Sequence, residues 1–139
     1  MASPKPKRLS VKWLNPTLLS SGVSYTLCTS EEQFDQLMRH MLADHRDGSR
    51  WINPGACATT HHLARYPDRS ESCVVCIDGS RTDVTGVQVA SLLVHEAVHV
   101  WQRILHSMGE TDPSPEFEAY SIQGIAQNLM QSYVDQTKA

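Results

Sequence analysis

The chain has 139 residues and a formal net charge of −3. That length suits one domain burying roughly two thirds of its unfolded surface, and the weak negative charge gives no global case for nucleic acid. No run of 18 apolar residues occurs, so no membrane-spanning helix is expected, and four cysteines without a recognisable secretory leader point to reduced thiols in a cytosol.

Residues 1–8 read as a disordered basic tail. Lys5, Lys7 and Arg8 are interrupted by Pro4 and Pro6, which favours a solvated segment over a nucleic-acid arm. Residues 9–139 read as a single domain. Leu9, Val11 and Trp13 alternate with polar neighbours, a weak strand signal. Val23, Tyr25 and Leu27 alternate with Ser24, Thr26 and Cys28, a stronger one. Ser30 with Gln33, or Thr29 with Glu32, forms a capping-box pattern. Phe34, Leu37, Met38, Met41 and Leu42 follow at helical spacing, which predicts a helix to about Asp44 with His40 and His45 at the surface. Residues 56–64 are small and β-tolerant, and Cys73–Ile77 is a continuous apolar run of the kind a buried strand shows. The two are expected to pair as a hairpin across a loop of about eight residues. Thr85 and Gln88 form a second capping box, opening a long helix from about Gly86 to Met108, with Gly109 as its stop. Ser114 as N-cap and Pro115 at the first helical position start a last helix, which is expected to end near Val134.

The long helix carries His95-Glu96-Ala97-Val98-His99 inside an apolar run free of Gly and Pro. Residues four apart lie on one helix face, so His95 and His99 can aim two imidazoles at one ion. Glu96, about 100° around the helix from His95, borders that point without having to ligate. This spacing predicts zinc held by the two histidines, with Glu96 as general base on zinc-bound water. The plainer alternative is a pair of hydrogen-bonded core histidines.

A third protein ligand must come from elsewhere. His106 is two helical turns past His99 and cannot reach the same ion. A metzincin continuation needs Gly and His at positions held by Gln102 and Leu105. Asp112, Glu116 and Glu118 remain. The helix beyond His99 rises about 13 Å, and the loop after it is long enough to return that distance, so an antiparallel last helix can bring an acid back to the histidines. Glu116 and Glu118 are about 200° apart on a helix, so one of them at most faces the ion. Glu118 is favoured, with Glu116 as a solvated acid at the helix start. An ordinary N-terminal helix acid is the competing role for either.

His95-Glu96-x-x-His99 followed by a glutamate on the next helix resembles the gluzincin pattern of zinc metallopeptidases. More narrowly, His95 to Gln102 (HEAVHVWQ), Glu116 to Gln123 (EFEAYSIQ) and Ala58 to His61 (ATTH) resemble small metallopeptidase-like proteins of phages and prophages, over roughly residues 55–130. The resemblance implies a zincin-like α+β domain: a small mixed β-sheet, an N-terminal helix and two C-terminal active-site helices. It implies His95, His99 and Glu118 as zinc ligands, Glu96 as base, and action in the cytosol of a bacterial host or infected cell. It names no substrate. The Glu-x-x-x-Asp extension of thermolysin-type enzymes is absent, because position 122 is Ile, which leaves the partner that orients a zinc-bound histidine unassigned.

Cys73 and Cys76 look like a redox or metal pair, but on a strand their odd spacing puts them on opposite faces, which favours buried thiols. His61 and His62 likewise face opposite ways and read as strand polar residues, with one of them a candidate for the cleft. Tyr120, Tyr133, His106 and Arg103 are candidate donors to an oxyanion, with Tyr120 turned away from Glu118; that role stays open. The 56–64 strand is expected at a sheet edge beside the cleft, where an extended peptide can add as a further strand. The expected function is zinc-dependent peptide hydrolysis on a peptide or protein substrate, with no membrane partner. The alternative is a catalytically idle zincin-fold binding or phage accessory module.

Overall fold

The computed structural model describes residues 11–14, 22–42, 50–64 and 71–138. The elements follow as β1 (Val23–Cys28), α1 (Glu31–Leu42), β2 (Ala58–Ala64), β3 (Glu71–Ile77), α2 (Gly86–Met108) and α3 (Pro115–Thr137). The sheet is mixed, in the order β1-β3-β2, with β3 parallel to β1 and antiparallel to β2. This is the α+β class expected from the sequence. Among the described residues no helix is long and apolar enough to cross a membrane.

Strand periodicity sorts the sheet into two packed faces. Val23, Tyr25, Leu27, Cys73, Val75 and Ile77 meet α2 and α3, while Cys28, Val74 and Cys76 meet Phe34, Leu37 and Met38 of α1. β3 is therefore covered on both sides, and every residue from Ser72 to Ile77 is buried, which explains an apolar run without alternation. The two C-terminal helices pack on one face of the sheet and α1 on the opposite face.

α2 forms as its end signals require. Thr85 and Gln88 complete a capping box, and Gly109 closes the helix in the left-handed conformation at φ 69°, which favours glycine. Its buried stripe of Val89, Leu93, Ala97, Val100 and Ile104 keeps helical spacing. α3 packs beside it through Ile125, Ala126 and Leu129. α3 is also tied to β1: Asn128 Nδ2 donates to the Tyr25 hydroxyl at 2.8 Å, and Gln136 Nε2 donates to Leu27 O at 3.0 Å. The turn after β3 passes close beneath this end, where a Cβ on Gly79 would stand 2.9 Å from the Thr137 side chain.

Some boundaries differ from the sequence reading. Val11–Trp13 form no strand; Leu14 alone makes an antiparallel bridge, to Tyr25. Ala56 and Cys57 precede β2, because Ala56 N turns back to Asn53 O at 3.0 Å. At the start of α1 the two capping alternatives merge: Ser30 Oγ accepts from Gln33 N, while Gln33 Oε1 accepts from Thr29 N. α3 runs three residues past Val134 to Thr137, where Gln136 and Thr137 both find hydrogen-bond partners. The basic tail 1–8, residues 9 and 10, the helix end at Asp44 with His45, and the 66–70 turn lie outside the described residues.

Candidate functional site

The outer face of α2 and the edge strand β2 border a cleft of about 550 Å³. His95, Glu96 and His99 line it from the helix, and Thr60 and His62 from the strand. Both motif histidines are exposed, so they are not core-packing residues. Their Nε2 atoms stand 3.2 Å apart. Two ligands of a tetrahedral ion with bonds of 2.0–2.1 Å are separated by about 3.3–3.4 Å. The pair therefore fits two corners of a zinc site. His99 Nδ1 lies 3.2 Å from Gln102 Oε1. With Nδ1 donating to that oxygen, one helical turn on, the Nε2 lone pair is left for the cleft.

Glu96 lines the same cleft from the next position of the helix, and its carboxylate is held in place. It is only 4% exposed, and its Oε2 accepts from Thr60 Oγ1 at 2.5 Å. That hydrogen bond to the charged oxygen fixes the rotamer of the carboxylate. Sequence reasoning gave Thr60 only the merit of small size. No local pattern links a strand threonine to a helix glutamate 36 residues later; register does, since Thr60 opposes Val75, whose side chain packs in the α2 and α3 core.

The acids proposed as third ligand are not gathered at the histidines. Glu116 is exposed in the first turn of α3, and Asp112 is exposed in the loop before it. Glu118 is half-buried and accepts at Oε2 from the indole N–H of Trp101, at 3.0 Å. Among the described residues, no three His, Cys, Asp or Glu side chains converge as a metal-holding group. The structure thus brings His95, His99 and Glu96 to one cleft and sets Glu118 behind the helix that carries them, bonded to a residue two positions after His99.

The histidine pair of β2 is split by strand alternation. His61 stacks on Phe34 at 4.8 Å between ring centroids, and its Nε2 lies 2.9 Å from Trp51 O, so it belongs to the α1 side. His62 lines the cleft, and burial together with the nearby Arg103 guanidinium lowers its pKa below the usual histidine value. Arg103 and His106, two of the candidate oxyanion donors, also line the cleft; Tyr120 is 58% exposed and does not. The cysteines are free thiols. Cys73 and Cys76 pack on opposite sheet faces, as their spacing required. Burial pushes the Cys73 thiol up to about 11 and raises Cys76 as well, which disfavours the thiolate form.

The chain matches no family model, no curated protein and no solved structure.

Proposed function

We propose that this chain is a zinc-dependent metallopeptidase of the small, gluzincin-like phage and prophage type, acting in the cytosol on a peptide or protein. The observation that carries this reading is the 3.2 Å separation of the His95 and His99 Nε2 atoms beside a buried Glu96 carboxylate. His95 and His99 would hold the ion; Glu118, which here accepts from Trp101, would have to leave that bond to become the third protein ligand. When bound, the ion supplies Lewis acidity to the scissile carbonyl and to the attacking water.

The protein's own part follows from the cleft. Thr60 keeps Glu96 Oε2 engaged, which leaves Oε1 to take the proton of the attacking water and return it to the leaving amine. Gln102 holds His99 in one tautomer. Among the described residues β2 is an edge strand paired with β3 alone. Its outer side suits an extended peptide, which hydrogen-bonds along the strand and so lies past Thr60 and Glu96. The rival reading, an idle zincin-fold module, has no use for a buried carboxylate held by a dedicated hydroxyl.

Elemental analysis of the purified protein is the first test. About one zinc per chain is expected, as one tetrahedral site requires, and His99→Ala should lose it. Absence of zinc even after reconstitution would remove the metallopeptidase reading. A competition titration with a zinc chelator tests the third ligand: Glu118→Ala should weaken zinc by about 10-fold or more, the scale on which lost ligand-sphere contacts act, while Glu116→Ala should leave it unchanged. The opposite ranking moves the ligand to Glu116.

A further inference from the structure

The face of α2 that carries His95 and His99 continues through Arg103 and His106, and all four side chains line the same cleft. The end beyond His99 has a distinct chemistry. Glu71, at the start of β3, lies between two groups there: its Oε2 is 3.7 Å from Arg103 Nε and 3.8 Å from His62 Nε2. Both distances are too long for hydrogen bonds. Glu71 Oε2 and Arg103 Nε are in fact buried atoms with no hydrogen-bond partner. Arg103 keeps a permanent positive charge, and its Nε–H stands 3.7 Å from the nearby carboxylate without a hydrogen bond. His62, its pKa lowered mainly by burial, adds a neutral imidazole rather than a second charge.

A partly exposed guanidinium that lines a cleft without a close carboxylate partner is open to a bound anion, and it matches the planar two-oxygen face of a carboxylate. From this arrangement we propose a carboxylate-binding subsite at the Arg103 end of the cleft. Its ligand class is peptides that carry a carboxylate close to the bond being cut. Arg103 lies four residues beyond His99, about 6 Å along the helix axis. An extended peptide advances about 3.3 Å per residue, so the carboxylate falls one to two residues from the scissile bond. The position of that bond rests on the peptidase reading; the binding of the carboxylate does not. A chain's C-terminal carboxylate and an Asp or Glu side chain supply the same chemistry.

The test is calorimetric binding to full-length Glu96→Gln protein, which cannot turn its ligand over. The probes are blocked tetrapeptides: one ending in a free acid, its C-terminal amide, and amides with Asp or with Asn at the penultimate position. Binding of the free acid at least tenfold tighter than its amide identifies a C-terminal carboxylate; the same preference for Asp over Asn identifies a side chain. In either case the preference should vanish in Arg103→Gln. Glu71→Gln, which removes the competing anion, should strengthen acid binding severalfold, and it serves as the independent check if Arg103→Gln fails to fold. Equal affinity for acid and neutral peptides, binding of none, or an acid preference that survives Arg103→Gln overturns the proposal. An acid preference in a protein that holds no zinc leaves the subsite standing and removes the peptidase instead.

Discussion

Glu96→Gln should leave the fold and the zinc content of the protein intact while lowering peptide hydrolysis by about 10²–10⁴-fold, the usual contribution of a positioned general base. The amide is nearly the size of the carboxylate, and its carbonyl oxygen still accepts the Thr60 hydroxyl that now bonds Glu96 Oε2 at 2.5 Å. The 4% exposure of residue 96 therefore gives no reason for the variant to unfold. What it loses is the capacity to take a proton. Wild-type turnover in this variant, measured alongside metal content, would sink the mechanism. Thr60 separates positioning from basicity. Thr60→Val keeps the shape but removes the donor, and a hydrogen bond to a charged group is worth about 1.5–3 kcal/mol. A fall in kcat of roughly 10-fold or more with KM little changed is expected, because 1.4 kcal/mol corresponds to a factor of ten. Thr60→Ser should restore most of it. A merely structural Thr60 would show equal loss in both variants, together with lowered stability.

The contrast between α2 and its surroundings shows what is legible in a sequence of this kind. α2 was readable to the residue because its signals are local: a capping box at Thr85 and Gln88, a glycine stop at 109, and apolar spacing between them. The relation of His95, His99 and Glu96 is a property of one helix and needs no tertiary information. Gln102 was within reach by the same logic, since residues three apart on a helix meet. Thr60 and the Trp101–Glu118 bond were not, because each joins elements whose mutual position depends on sheet register or helix packing. His62 lay on the border: alternation separates it from His61, but only the burial of β3 on both faces decides which of the two meets α2. The Leu9–Trp13 signal failed for a related reason. Its alternation was real, but at its described end the chain meets β1 through a single bridge from Leu14 and a hydrogen bond from Thr26 Oγ1 to Lys12 O, not through a ladder.

Trp101 should prove the most costly core residue to truncate. Its ring is 1% exposed and packs edge-on against Phe117 at 5.5 Å between centroids, and its N–H joins α2 to Glu118 of α3. Trp101→Ala removes this packing and should cost about 3–5 kcal/mol in denaturant unfolding. At about 4 °C per kcal/mol for a domain of this size, that is a melting point lower by roughly 12–20 °C. The more informative change is Trp101→Phe, which retains much of the ring but leaves the half-buried Glu118 carboxylate without its donor, a loss of about 1–3 kcal/mol. Combined with Glu118→Gln in a double-mutant cycle, it measures the coupling directly, and a value within error of zero would reduce the bond to a bystander. Zinc affinity in Trp101→Phe then distinguishes two roles for Glu118. A glutamate that serves only to satisfy the indole leaves metal binding unchanged when the indole is gone. A glutamate that ligates must leave that N–H to reach the histidines, so zinc affinity rises when the indole is gone while stability falls.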